Sequence, residues 1–162
     1  MPKIIKDAQV QDDNWVLWRD SETLPDSAPV IVPLNLYLAH REALAKLGEV
    51  GVMLASDESP KALPADALAS LPVIAIDFPK FADGRGFSYA RELREQHSYQ
   101  GEIRAVGDII RDQLFFMSRC GFSSFALPGD ELEEALASLN DFSEVYQPDT
   151  RQSLPLFRRR SA

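Results

Sequence analysis

The sequence predicts an α/β fold: a single domain of βα units with a mostly parallel, open or partial-barrel sheet, plus an N-terminal hairpin or edge strand. Three observations lead there. Short β-branched runs such as Val30-Ile31-Val32 and Val73-Ile74-Ala75-Ile76 alternate with apolar stretches of helical spacing. Alternation of that kind builds parallel strands joined by right-handed helical crossovers. The chain has 162 residues, enough for one ordinary core, and 45% of them are hydrophobic against 26% charged, the composition of a folded globular domain.

Taken in order, the first 18 residues alternate weakly. Ile5, Val10 and Trp15-Val16-Leu17-Trp18 are separated by the turn-rich Gln11-Asp12-Asp13-Asn14, which predicts the hairpin or edge strand. The polar stretch 21–29, with Pro25 and Pro29, reads as a linker into a strand over 30–32. From Leu36, the spacing of Leu36, Leu38, Leu44 and Leu47 with Ala39, Ala43 and Ala45 predicts one helix stopped by Gly48. A strand over 50–55 follows. Residues 63–71 form a second helix, with Pro64 in its first turn and Pro72 ending it before the buried parallel strand 73–76.

A loop over 77–87 then leads to a helix over 88–96, a strand over 103–106 and a helix over 109–119 closed by Gly121. A strand over 124–127 precedes a last helix, opened by the capping-box spacing of Asp130 and Glu133. Four or five strands are too few for a closed eight-stranded barrel. Periodicity is lost after Pro148, so the expected domain is 1–147, and 148–162 is a flexible basic tail carrying Arg158-Arg159-Arg160.

Asp and Glu number 25 against 17 Lys and Arg, a net charge of −8. That charge repels phosphate backbones, so no nucleic-acid partner is expected. No apolar run approaches the roughly 20 residues that span a bilayer, and the first residues lack a signal peptide's apolar core. A cytoplasmic location without a membrane partner is therefore expected. Cys120 is the only cysteine, so the chain can form no internal disulfide and offers no Cys-rich cluster for zinc or iron–sulfur. His40 and His97 lack metal-ligand spacing. No Gly-x-Gly-x-x-Gly opens a helix, so the cofactor is unknown and the sequence supports none; redox chemistry would need a borrowed one.

In an open α/β sheet, ligands bind beyond the carboxyl ends of the strands, and the loop after 73–76 lies there. It carries Lys80, Asp83 and Arg85, with Gly84 and Gly86 on either side of Arg85, so backbone N–H groups could come close to an anion or a partner. The plainer reading is that Asp83-Gly84 is a turn while Phe78, Phe81 and Phe87 plug the sheet end. After the next strand, Asp108 reads most simply as an N-cap, with Gln113 in the first turn beyond it. Arg104 lies inside a parallel strand and needs a partner such as Asp77 or Asp108. Lys80, Asp83, Gly84, Arg85, Gly86, Arg104, Asp108 and Gln113 thus form the candidate ligand- or partner-binding set, with no catalytic residue or metal ligand assigned. Cys120 reads as a small core hydrophobe. Trp15 and Trp18 either cap the core or make a partner contact.

The segments Asp77-Phe78-Pro79-Lys80-Phe81-Ala82-Asp83-Gly84-Arg85-Gly86-Phe87-Ser88, Gly101-Glu102-Ile103-Arg104-Ala105-Val106-Gly107-Asp108, Asp112-Gln113-Leu114 and Arg119-Cys120-Gly121-Phe122 occur in one order. Together they resemble the signature of the DUF934 family of bacterial proteins, from about Val30 to Gln147. The resemblance implies an association with assimilatory sulfite reduction and its sulfite reductase hemoprotein. The expected role is that of an accessory protein docking on sulfite reductase or its electron donor. The alternative is a small oxidoreductase or oxyanion-binding protein acting on sulfite or a related sulfur species. A homo-oligomer is a third arrangement.

Overall fold

In a computed structural model of the chain, the described residues are 3–79, 84–109, 111–127 and 132–141. Lys80, Asp83, the Asp130 cap and the arginine tail lie outside them. A hairpin of β1 (Lys3–Lys6) and β2 (Gln9–Asp12) turns through Asp7 and Ala8, both at positive φ. Next come β3 (Val16–Leu17), β4 (Val30–Pro33), α1 (Leu34–Ala39), α2 (Arg41–Ala45), β5 (Val50–Leu54), α3 (Ala65–Ser70) and β6 (Val73–Phe78). The chain continues through α4 (Arg85–Glu95), β7 (Glu102–Gly107), α5 (Leu114–Cys120), β8 (Ser124–Phe125) and α6 (Leu132–Asp141).

One sheet holds the eight strands of the described residues in the order β2-β1-β8-β7-β6-β5-β4-β3. Strands β3 to β8 are parallel neighbours in sequence order, and β1 joins β8 antiparallel. The sheet is therefore α/β and mostly parallel, as expected; the hairpin strands β1 and β2 and the two-residue β3 extend the five expected parallel strands, and the strand expected over 124–127 is shortened to β8. With no reversal of strand order, right-handed crossovers carry the helices to one face. There Val32, Val52, Ile74, Ile76, Ile103 and Phe125 pack against Leu44, Ala67, Leu93, Leu114 and Met117.

The opposite face is buried too, although no helix of the described residues covers it. Ile31, Met53, Val73, Ala75 and Val106 form a second cluster, closed by Trp15, Leu17 and Ala126. The reason is a short connection. Only Asp13, Asn14 and Trp15 join edge strand β2 to the opposite edge strand β3, a span of at most about 15 Å across four Cα steps. Eight strands laid flat would hold those edges about 34 Å apart. The sheet must curl into a half-barrel, and on its concave face Gly51 leaves room for Val73 of the neighbouring strand. A Cβ there would lie 2.3 Å from Val73 Cγ1 and 2.8 Å from the Val73 carbonyl oxygen.

Four local expectations change. The helix expected from Leu36 to Leu47 is split at His40 (φ −133°, ψ 38°), although Gly48 does end the segment at φ 131°. The expected loop over 77–87 is shorter at both ends, since β6 runs to Phe78 and α4 starts at Arg85. Gly86 is helical because its missing Cβ lets that turn sit on the Phe78 ring, where a Cβ would come within 2.6 Å of Phe78 Cζ. The helix expected from Ile109 starts only at Leu114, after a single 3₁₀ turn over Arg111–Gln113. Asp108 is therefore no N-cap.

Candidate functional site

Two charged clusters sit at opposite ends of the curled sheet, and the strands decide which residue belongs to which. At the carboxyl ends, Arg85 is the first residue of α4. Its Nη2 donates to Ser56 Oγ at 3.1 Å, in the loop after β5. One turn later, the Tyr89 hydroxyl donates to the Ser56 backbone oxygen at 2.7 Å. Ser56 is thus held through both side chain and main chain. Gly84 is exposed with nothing within 4 Å of a would-be Cβ, whereas Gly86 is buried. Close backbone approach by a ligand is sterically open at Gly84, while Gly86 serves helix packing.

Asp77 and Arg19 complete this rim. In β6, side chains alternate between the faces, so Asp77 follows Val73 and Ala75 onto the concave side. Arg19 follows Leu17 in the same way beyond β3, and its Nη2 reaches Asp77 Oδ1 at 3.3 Å. Strands β4 and β5 lie between them in the sheet, so only the curl lets the two side chains meet. The Asp77 side chain is 16% exposed and that of Arg19 is 52%. Asp108 is exposed, and its N–H donates to the Phe78 carbonyl at 2.6 Å. Gln113 is half-buried at the end of its 3₁₀ turn. Beside them a row of rings runs outward from buried Phe78 to Phe87 (5.4 Å) and on to Phe116 (5.1 Å), which is half exposed.

Arg104 does not belong to this rim. The expectation of Asp77 or Asp108 as its partner is corrected: Arg104 lies on the concave face near the start of β7, and its partners are Asp13 and Glu102. Nη1 meets Asp13 Oδ1 at 2.9 Å and Nε meets Glu102 Oε2 at 2.9 Å. Glu102 also accepts from Ser124 Oγ at 2.6 Å and pairs with Lys6 Nζ at 3.2 Å. Burial pushes the Glu102 carboxyl up, but the Ser124 hydroxyl, the Arg104 guanidinium and the Lys6 ammonium outweigh it and hold the group below the ordinary glutamate range. Two cations and two carboxylates therefore satisfy one another at the amino end of the half-barrel. Close by, Arg94 clamps three carbonyls, those of Tyr99, Gly101 and Gly121, at 2.8 to 3.0 Å. That arginine ties the loop before β7 to the loop before β8.

Sequence reasoning missed Arg19, Asp77, Ser56 and Phe116 as rim residues. Alternation along β6 and past β3 could have put Asp77 and Arg19 on one face, but their pairing needed the curl. Trp15 and Trp18 point to opposite faces, Trp15 into the concave cluster and Trp18 against the helix-side core. Cys120 is buried, with Arg91 Nη2 3.9 Å from Sγ. His97 Nε2 lies 3.1 Å from Glu92 Oε2. Among the described residues, no three His, Cys, Asp or Glu side chains are grouped to hold a metal ion, and no helix is long and apolar enough to cross a membrane.

These features define an α/β half-barrel protein with a charged, aromatic-flanked rim at the carboxyl ends of its parallel strands. The chain belongs to the DUF934 family, described as bacterial proteins of unknown function, whose family model matches residues 51–157. The match begins in β5 rather than at Val30 and runs beyond Gln147 to Phe157. Neither the curated proteins nor the solved structures give a match.

Proposed function

We propose that this protein is a cytoplasmic accessory component of assimilatory sulfite reduction, and that its rim docks on the sulfite reductase hemoprotein or that enzyme's electron donor. The pathway rests on the resemblance stated for the four sequence segments. The rim as the docking face rests on one observation: the half-exposed Phe116 ring, in the first turn of α5, packs at a tilt against Phe87, which lies two residues after Arg85 in the first turn of α4. An exposed aromatic anchor accompanied by arginine is the composition of protein interface hot spots.

A second reading has the same rim capture an oxyanion through Arg85 and Arg19, because guanidinium groups grip such groups by paired hydrogen bonds. A pull-down with the tagged full chain from sulfate-grown cells, combined with an absorption spectrum of the pure protein, separates the two. Docking requires that wild type capture the hemoprotein or its donor and that Phe116→Ser lose it while remaining folded. Sulfite turnover by the pure protein would replace the accessory role with an enzymatic one. Equal capture by Phe116→Ser would remove the rim from the interface.

A further inference from the structure

We propose that the cavity between α2 and α3, at the amino end of the half-barrel and away from the rim, binds a small molecule with an apolar body and a cationic group. The cavity measures about 710 Å³, within the range of small-molecule sites. Its floor is apolar: Tyr37, Leu44, Val50 and Leu71 line it and are all buried. The backbone leaves the space open. The helical segment breaks at His40, and the chain after α2 turns away through Gly48 at positive φ.

The charges on the wall decide the ligand's sign. Arg41 is already committed, with Nη2 2.7 Å from Asp66 Oδ2 on α3 and its guanidinium 5.4 Å from the centre of the Tyr37 ring. Glu42 and Glu49 also line the cavity and are exposed, and among the described residues neither carboxylate has an ion-pair partner. An apolar floor beneath two uncommitted carboxylates complements an ammonium or amidinium carried on a hydrophobic body. A carboxylate on the same body would be repelled. None of these residues belongs to the rim, so this site and the docking role stand or fall separately.

The test titrates the full chain with naphthylethylamine and, in parallel, with naphthylacetate, following backbone amides by NMR. The expected result is saturable shifts at Leu44, Val50 and Leu71 with the amine, and binding at least about fivefold weaker with the acid. Combining Glu42→Gln with Glu49→Gln, both on the surface, should weaken amine binding by a similar factor and reduce its sensitivity to salt. Ala45→Trp, which fills the cavity from an exposed wall position, should block binding with the melting temperature unchanged. Equal affinity for amine and acid, an unaffected Glu42→Gln and Glu49→Gln variant, or shifts confined to other residues would each overturn the proposal.

Discussion

Asp13 and Arg104, 91 residues apart in sequence, meet at 2.9 Å inside the curl of the sheet. Arg104 stands on β7, while Asp13 belongs to the link that carries the chain from one sheet edge to the other. At the far end of the same segment, Arg19 meets Asp77 on β6. Between the two ion pairs, Trp15 and Leu17 fill the concave cluster. Residues 13–19 therefore act as a strap: two polar ends locate it, and its apolar middle buries the sheet face opposite the described helices.

Arg104→Ala should be destabilising, by about 2–3 kcal/mol, because it leaves the part-buried Asp13 and Glu102 carboxylates without their common cation, with only Lys6 left beside Glu102. Asp13→Ala should cost less, since Arg104 keeps Glu102. Urea unfolding of both variants checks the order; a larger loss for Asp13→Ala would contradict this account of the network.

Acid should weaken the fold through Glu102. Its carboxyl is held below the ordinary value of 4.5 in the folded state, so the unfolded chain binds the proton more readily. The stabilisation is present above that value and is lost as pH falls through the lower folded one. Glu102→Gln should be less stable than wild type at neutral pH and should show a shallower decline below 4.5 in chemical denaturation. Parallel curves for the two proteins would assign the acid sensitivity elsewhere.

Gly51 and Gly84 should respond oppositely to alanine. At Gly51 the new methyl meets the Val73 carbonyl oxygen at 2.8 Å, and overpacking against backbone costs about 1–3 kcal/mol. At Gly84, with φ −88° and open space, the change should stay within about 0.5 kcal/mol. Thermal melts of the two variants decide it.

Arg85→Ala should leave the melting temperature nearly unchanged, since an exposed guanidinium is worth no more than about 0.5 kcal/mol and Tyr89 still holds Ser56. Growth on sulfate should nevertheless fail if the rim is functional. Arg85→Lys tells charge from shape: full growth indicates electrostatic docking, and failure indicates a contact that needs the planar fork. Normal growth of the alanine variant would remove Arg85 from the site.

Cys120→Ala should cost about 1 kcal/mol through lost packing and leave growth on sulfate intact, because the thiol is buried beside the end of α5. Failed growth at normal protein levels would make the thiol functional.

Local sequence was sufficient for everything that depends on which side of an element is apolar. The runs at 30–32, 73–76 and 103–106 became strands, and Gly48 and Gly121 took the positive φ that ends a helical segment. The connection leading to Arg85 also fell at the carboxyl end of a buried strand, as the parallel pattern required. Gly86 was misread as loop because its place in α4 depends on a ring eight residues earlier rather than on its own propensity. Tertiary structure alone decided that Arg104 pairs with Asp13 and Glu102, that Arg19 crosses to Asp77, and that Trp15 and Leu17 close the concave face. Those contacts depend on strand order and on the tight curl imposed by a three-residue link between the sheet edges. Periodicity along one strand carries no information about either.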